Sequence, residues 1–275
     1  MKIIRPKKSL GQHFLKDLGI AQRIADTLSE YRGLPVLEVG PGTGVLTRFL
    51  LEEEHDLSVV EIDRVAAQYL EQNFTQLSGR IHLEDFLRMK LENLYQGSFC
   101  IIGNYPYYIS SQIFFKALDY RDQVVCCSGM IQKEVAERIA ATPGSRSSGI
   151  LSALIQPWYD VEYLFTVSEE VFDPPPKVKS AVVRLTRNSR MNLGCNEARY
   201  KQVVKTAFNQ RRKTLRNSMK PLIGKECPYF ALPVFDKRPE QLSIEQLIEL
   251  TLLTERYLKE NLIPDNANRL TNTQQ

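Results

Sequence analysis

The chain has 275 residues, 43% hydrophobic and 25% charged, which excludes a disordered, collagenous or membrane-embedded protein and leaves room for one large or two unequal globular domains. Its net charge of +4 is a near-cancellation: residues 177–220 hold 13 basic side chains against one acid, or +12, the first 16 residues add five basic groups and no acid, and the remainder sums to −13. Charge asymmetry of this kind is the footprint expected for nucleic acid or another anionic surface.

In chain order, the four-residue recurrence of Ile20, Ile24 and Leu28 predicts an amphipathic helix over Leu18 to Tyr31. The period then changes. Short β-branched runs predict strands at Pro35 to Val39, Leu57 to Ile62, Arg80 to Leu83, Phe99 to Ile102, Val124 to Ile131, Val161 to Val167 and Ser180 to Leu185. Helical segments fall between most of them, at Val45 to Glu53, Arg64 to Phe74, Ser110 to Leu118, Gln132 to Ala141 and Gly149 to Gln156. This alternation predicts an α/β fold with a mostly parallel, doubly wound sheet. Only the Asp173-Pro174-Pro175-Pro176 turn separates the last two strands, so they read as an antiparallel pair at one edge. Beyond Asn188 the pattern is helical, at Glu197 to Met219, Pro239 to Leu242 and Ser243 to Glu260, with Ser243 and Gln246 spaced as a capping box. The tail from about Asp265 is polar and expected to fray.

Five cysteines without C-x-x-C spacing predict reduced thiols. Three scattered histidines give no zinc pattern, so no metal is expected. No apolar run has the length of a membrane helix, so no membrane association and a cytoplasmic location are expected.

The segment Val36-Leu37-Glu38-Val39-Gly40-Pro41-Gly42-Thr43-Gly44 is a strand entering a glycine-rich turn and then a helix, where a ligand can approach bare backbone near a helix N-terminus. Glu61 closes the next strand, where an acid can accept both hydroxyls of a ribose. These two features suit NAD, FAD or S-adenosylmethionine alike. The following strand ends in Glu84-Asp85-Phe86, which offers Asp85 to an adenine amine and Phe86 to its ring.

The fourth strand ends in Asn104-Tyr105-Pro106-Tyr107. A purine amine is a poor nucleophile because its lone pair is delocalised into the ring. Two acceptors on its N–H groups favour the tetrahedral geometry needed to attack a methyl sulfonium, and an Asn oxygen with a carbonyl at a Pro-fixed turn supplies them. Tyr107 supplies a stacking face. No general base is required, since alignment of an activated methyl donor provides much of the catalysis.

With these motifs in place, the chain closely resembles the bacterial small-subunit (16S) rRNA adenine N6,N6-dimethyltransferases, the kasugamycin-sensitivity family of class I methyltransferases. The resemblance rests on the residues 38–47 loop, Asn104-Tyr105-Pro106-Tyr107, Lys8-Ser9-Leu10-Gly11-Gln12-His13-Phe14-Leu15, Gln132-Lys133-Glu134-Val135-Ala136-Glu137-Arg138, Phe172-Asp173-Pro174-Pro175-Pro176-Lys177-Val178-Lys179-Ser180 and Phe208-Asn209-Gln210-Arg211-Arg212-Lys213-Thr214-Leu215-Arg216. It implies a Rossmann-like methyltransferase domain over 1–188 with a basic N-terminal arm, and a small all-helical rRNA-binding domain over 189–275. It also implies transfer of four methyl groups from S-adenosylmethionine to two adjacent adenosines in the 3′-terminal hairpin loop of 16S rRNA, within a maturing small subunit, by a monomer.

By motif position, the resemblance puts His13 and Leu15 over the cofactor, Gly40 and Gly42 beside it, Glu61 on its ribose, and Asp85 and Phe86 on its adenine. Asn104 borders cofactor and target. Pro106 offers its carbonyl to the target amine, and Tyr107 and Phe172 sandwich the flipped base. On residue type alone Phe172 reads as a core residue before a proline turn. Lys7, Lys8, Lys177, Lys179, Arg211, Arg212, Lys213 and Arg216 are the expected rRNA contacts.

Three positions depart from the family's commonest pattern: Tyr105 in place of Leu or Ile, Glu84 in place of Gly, and Ser148 in place of Tyr. None removes a proposed acceptor. Alternatives are a 23S rRNA adenine dimethylase of the macrolide-resistance type, disfavoured by the Phe208 to Ser218 segment, and a ribosome-assembly or nucleic-acid-binding factor on the same fold. A nicotinamide oxidoreductase is a distant third, lacking an acid/base residue for hydride chemistry.

Overall fold

The computed structural model describes residues 12–261, which divide into two compact units. The first takes the described residues through Ala140 together with Tyr159–Asn188. The second takes Ala141–Trp158 and the described residues from Ser189 onward. The division therefore differs from the expected break at residue 188, because residues 141–158 go with the helical unit.

The first unit is built on seven strands: β1 (Pro35–Val39), β2 (Asp56–Glu61), β3 (Ile81–Leu83), β4 (Phe99–Asn104), β5 (Val124–Gln132), β6 (Tyr159–Val167) and β7 (Ser180–Arg187). They lie in the order β3-β2-β1-β4-β5-β7-β6. The first five are parallel, and β7 runs antiparallel to both β5 and β6. β4 is buried along its length up to Asn104, as a parallel strand covered on both faces must be. The expected antiparallel pair is present at one edge of the sheet, with β6 outermost and β7 between it and β5. Burial matches that order: β7 buries successive residues from Ser180 to Val183, whereas β6 exposes Asp160, Glu162 and Thr166.

Helices α1 (Leu18–Ala25), α2 (Val45–Glu52), α3 (Arg64–Asn73), α4 (Ser110–Asp119) and α5 (Lys133–Ala140) accompany the sheet. Asp17 caps α1 by accepting from Ile20 N at 3.0 Å, and Asp63 caps α3 by accepting from Val65 N at 2.9 Å. The predicted first helix tightens into a 3₁₀ segment at Asp26–Tyr31. There Thr27 Oγ1 meets the Ile24 carbonyl and Ser128 Oγ, both at 2.7 Å, bonds that draw the chain onto β5. Ala21, Ile24, Leu50, Leu70, Val59 and Ile102 belong to the core.

Strands β2 and β3 lie to one side of β1, while β4 lies on its other side. The C-terminal ends of β1 and β4 are thus neighbours where the winding direction reverses, the usual ligand crevice of an open α/β sheet. A short antiparallel pairing of Phe14–Leu15 with Phe172–Asp173 lies outside the main sheet.

The second unit contains α6 (Ile150–Ile155), α7 (Glu197–Asn209), α8 (Leu215–Ser218), α9 (Lys220–Ile223) and α10 (Ile244–Glu260). Tyr200 on α7 donates to the Ala153 carbonyl of α6 at 2.8 Å, which ties residues 141–158 to this unit. The capping box forms: Ser243 Oγ accepts from Gln246 N, and Gln246 Oε1 accepts from Ser243 N, both at 3.2 Å. The continuous helix expected over Glu197 to Met219 ends at Asn209, and Thr214, extended at φ −68° and ψ 159°, starts α8. The Leu215 N–H bonds the Lys237 carbonyl at 2.8 Å, which fixes that break from outside the helix. The polar tail lies outside the described residues.

Candidate active site

A cavity of about 370 Å³ opens at the β1/β4 crevice, within the range of roughly 300–1,000 Å³ usual for small-molecule sites. Its walls include Gly40 and Gly42 after β1, Glu61 and Ile62 after β2, Glu84 to Leu87 after β3, and Asn104 to Ile109 after β4; the segment Gln12 to Leu15 completes it. Gly40, Gly42 and Gly44 all have positive φ, and a Cβ on Gly44, the N-cap of α2, would collide with the Phe74 ring. The loop can therefore bring bare backbone to the cavity.

Glu61 is 4% exposed. Its carboxylate accepts from Gly42 N at 3.1 Å and Asp63 N at 2.8 Å, so it is aimed by the same loop it braces. Burial raises its pKa above the ordinary carboxylate value, while those two backbone N–H groups oppose the rise. Asp85 Oδ1 accepts from Leu87 N at 2.9 Å, and Arg88 stands 3.6 Å from its other oxygen. Phe86 is nearly buried, with Lys116 Nζ 5.2 Å from its ring centre.

Asn104 donates through Nδ2 to the His13 carbonyl at 3.2 Å. That bond leaves Oδ1 as the amide's acceptor at the cavity. The Pro106 carbonyl accepts from Ile109 N at 3.2 Å, which uses one of its two lone pairs. Tyr107 stacks against His13 with ring centres 5.6 Å apart and planes at 27°, and His13 Nδ1 bonds the Pro174 carbonyl at 2.8 Å. Burial raises the Tyr107 pKa, so the phenol is neutral.

These observations unite His13, Leu15, Gly40, Gly42, Glu61, Asp85, Phe86, Asn104, Pro106 and Tyr107 on one cavity. Phe172 requires a correction. It is 1% exposed, belongs to the core beside Leu15, and does not line the cavity. As described, it presents no face to a base; its residue-type reading as a core side chain is the one realised.

Sequence reasoning missed Glu38 and Tyr108 on the same cavity. Glu38 is 1% exposed, and Thr47 Oγ1 donates to its Oε2 at 2.7 Å. Burial pushes its pKa up to about 8, with the Thr47 bond opposing and the Glu61 charge adding to the rise. An acid inside an otherwise apolar strand was the available signal. Tyr108 is exposed, and burial of part of its ring, then Asp85 and Glu61, raise its pKa.

The basic segment divides by role. Lys177 and Lys179 in the first unit are exposed, as are Lys201, Lys205, Arg212 and Lys213 in the second. Arg184 instead binds Glu162 at 2.8 Å and Glu30 at 3.3 Å, Arg190 binds Glu245 at 3.0 Å, and Arg199 is 8% exposed. Arg211 bonds the Arg146 carbonyl and Arg216 pairs with Asp236. Lys7 and Lys8 lie outside the described residues. Ser148 is buried and meets Ser152 Oγ at 3.2 Å, so it packs within the second unit. Among the described residues no acid, His or Cys cluster is arranged to hold a metal, and no helix is long and apolar enough to cross a membrane.

Comparison with known proteins agrees with this geometry. A ribosomal RNA small subunit methyltransferase A from Parabacteroides distasonis is 70% identical over 94% of this chain and 97% of its own. A dimethyladenosine transferase from Plasmodium falciparum shares the fold with a TM-score of 0.73 at 24% identity, covering 89% of this chain and 98% of its own. The 23S rRNA methyltransferase ErmE aligns with a TM-score of 0.64 at 29% identity, over 86% and 98% respectively. The ribosomal RNA adenine dimethylase profile matches residues 3–237, and with it the seven-stranded class I methyltransferase sheet and the Asn104 crevice find their place: the chain belongs to the ribosomal RNA adenine dimethylase family.

Proposed function

We propose that the chain dimethylates N6 of two adjacent adenosines in the 3′-terminal hairpin loop of 16S rRNA, in the small ribosomal subunit and in the cytoplasm, with S-adenosylmethionine as donor. The reading is carried by one juxtaposition: the Asn104 acceptor and the Tyr107 ring stand on the same cavity as Gly40, Glu61 and Asp85. The 70% identity to a small-subunit methyltransferase, against 29% to the 23S enzyme, favours the small subunit.

The residues fit the donor. Glu61, buried and aimed by two N–H bonds, suits a ribose diol; Asp85 and Phe86 suit an adenine; the positive-φ glycines admit a close backbone approach. S-adenosylmethionine supplies a methyl group already activated on a positive sulfur. Asn104 Oδ1 and the free lone pair of the Pro106 carbonyl accept the two hydrogens of the target amine, which draws its nitrogen lone pair out of ring conjugation. The side-chain bond from Asn104 Nδ2 to the His13 carbonyl keeps that amide turned the right way. Tyr107 stacks on the extruded base.

The test is incubation of labelled S-adenosylmethionine with unmethylated small and large subunits, followed by mapping of the labelled nucleotides. Label is expected in adjacent adenosines of small-subunit rRNA; label confined to the large subunit overturns the assignment. Asn104→Ala is expected to lower kcat about a hundredfold or more while donor affinity changes little. A normal rate in that variant would discard the amine-acceptor mechanism and leave a binding role.

A further inference from the structure

We propose that Ser180 is a positioning residue for rRNA adenine methylation, holding the Tyr107 ring in place as the stacking platform for the target base. The proposal rests on the reading of Tyr107 given above. Tyr107 belongs to a short 3₁₀ turn, Tyr107–Ile109, that follows Pro106. A turn of three residues fixes the backbone there but not the aromatic side chain. The ring is instead held from elsewhere in the chain. Its hydroxyl lies 2.5 Å from Ser180 Oγ, and His13 covers one face.

Ser180 is a rigid anchor for that bond. It is completely buried and opens β7, where it faces Gln132 of β5 on one side and Val167 of β6 on the other. The preceding residue is tied as well, since Lys133 N donates to the Lys179 carbonyl at 2.9 Å. Lys177 and Lys179, both exposed, lead directly into Ser180. Charges able to meet RNA phosphates and the fixed end of the base platform thus share one strand start.

The pair is not a proton relay. A phenol and an aliphatic hydroxyl are both neutral near pH 7, and neither is a useful base there. Its contribution is geometric: reacting atoms must be aligned closely, and displacement by about 1 Å can cost as much as a hundredfold in rate. Loss of the bond should therefore lower kcat without altering donor binding or the shape of the pH profile.

The experiment uses the full-length chain with unmethylated small subunits and S-adenosylmethionine, and compares Ser180→Ala, Tyr107→Phe, the double variant, Ser180→Thr and Tyr107→Ala. Ser180→Ala and Tyr107→Phe should each lower kcat about tenfold and the melting temperature by no more than a few degrees, with KM for the subunit, donor Kd and pH-profile shape unchanged. The double variant should be no worse than either single, and Ser180→Thr, which keeps the hydroxyl, should recover most of the rate. Losses that multiply in the double variant, or a kcat within twofold of the parent in both singles, overturn the proposal. So does a fall in donor affinity parallel to the rate, which marks a merely structural serine. Tyr107→Ala separates the two levels. If it is inactive while Ser180→Ala and Tyr107→Phe are normal, only the Ser180 proposal fails; if it is fully active, the platform reading fails and the proposal with it.

Discussion

Tyr105 is 1% exposed, with its ring over Gly103 of β4 and Gly129 of β5. A Cβ would stand 2.8 Å from that ring at Gly103 and 2.5 Å at Gly129, so glycines in two strands make the space that a tyrosine needs. Its hydroxyl donates to the Ser128 carbonyl at 2.7 Å. The departure from Leu or Ile is thus absorbed within the sheet, and no spacing in the sequence connects Tyr105 with Gly129. Asn104, Gly40 and Glu61 were legible because their chemistry is stated by neighbours in the chain. Glu38 was not, because its consequence depends on burial. With a folded pKa of about 8 against about 4.3 for an unfolded glutamate, Glu38 takes up a proton on folding across that window. Its contribution to stability is complete below about pH 4.3 and is lost as pH rises through 8. The melting temperature of the free protein should therefore fall between pH 6 and pH 9, by an amount on the order of a few kcal/mol in stability. Glu38→Gln should flatten that decline, and calorimetry across the range checks it; an equally steep decline in the variant would place its origin elsewhere.

At the scale of elements, all seven strands were legible from their β-branched runs, and the helices between them from period. Their spatial order was not. The position of β7 between β5 and β6 follows from its two-sided burial, which a short apolar run does not distinguish from an edge strand. The same limit applies to α7, whose end at Asn209 is fixed by a bond from Leu215 N to the distant Lys237 carbonyl. Arg184 shows what placement changes. Counted as charge, it belongs to the basic segment; on β7 it joins Glu162 of β6 to Glu30 and donates to the Thr27 carbonyl. Its own side chain is 20% exposed, but Glu30 and Glu162 are 71% and 48% exposed and stay hydrated without it. Arg184→Ala should therefore cost about 1 kcal/mol or less in a denaturant melt and leave the salt dependence of rRNA binding unchanged. A stable variant with weakened rRNA binding would assign Arg184 to the RNA surface instead.

For the whole molecule, the charge of residues 177–220 is +12, but its members are not equivalent. Arg184, Arg190 and Arg216 meet acids and Arg199 is buried, whereas Lys201, Lys205, Arg212 and Lys213 are exposed and extend along α7 and past its end. Lys201 and Lys205 are one helical turn apart and share a face. Each cation that neutralises an rRNA phosphate steepens the log–log dependence of affinity on salt by about 0.7 to 0.9. Replacing these four by Gln should therefore make the slope shallower by about 3 and weaken subunit binding most at low salt. Donor affinity and melting temperature should be unaffected, because these side chains do not line the β1/β4 cavity and are not core residues. Filter binding of unmethylated small subunits from about 50 to 200 mM salt reads the slope directly. An unchanged slope with intact folding would mean that this helix face is merely solvated, and would shift the rRNA footprint to Lys177, Lys179 and the basic residues before His13.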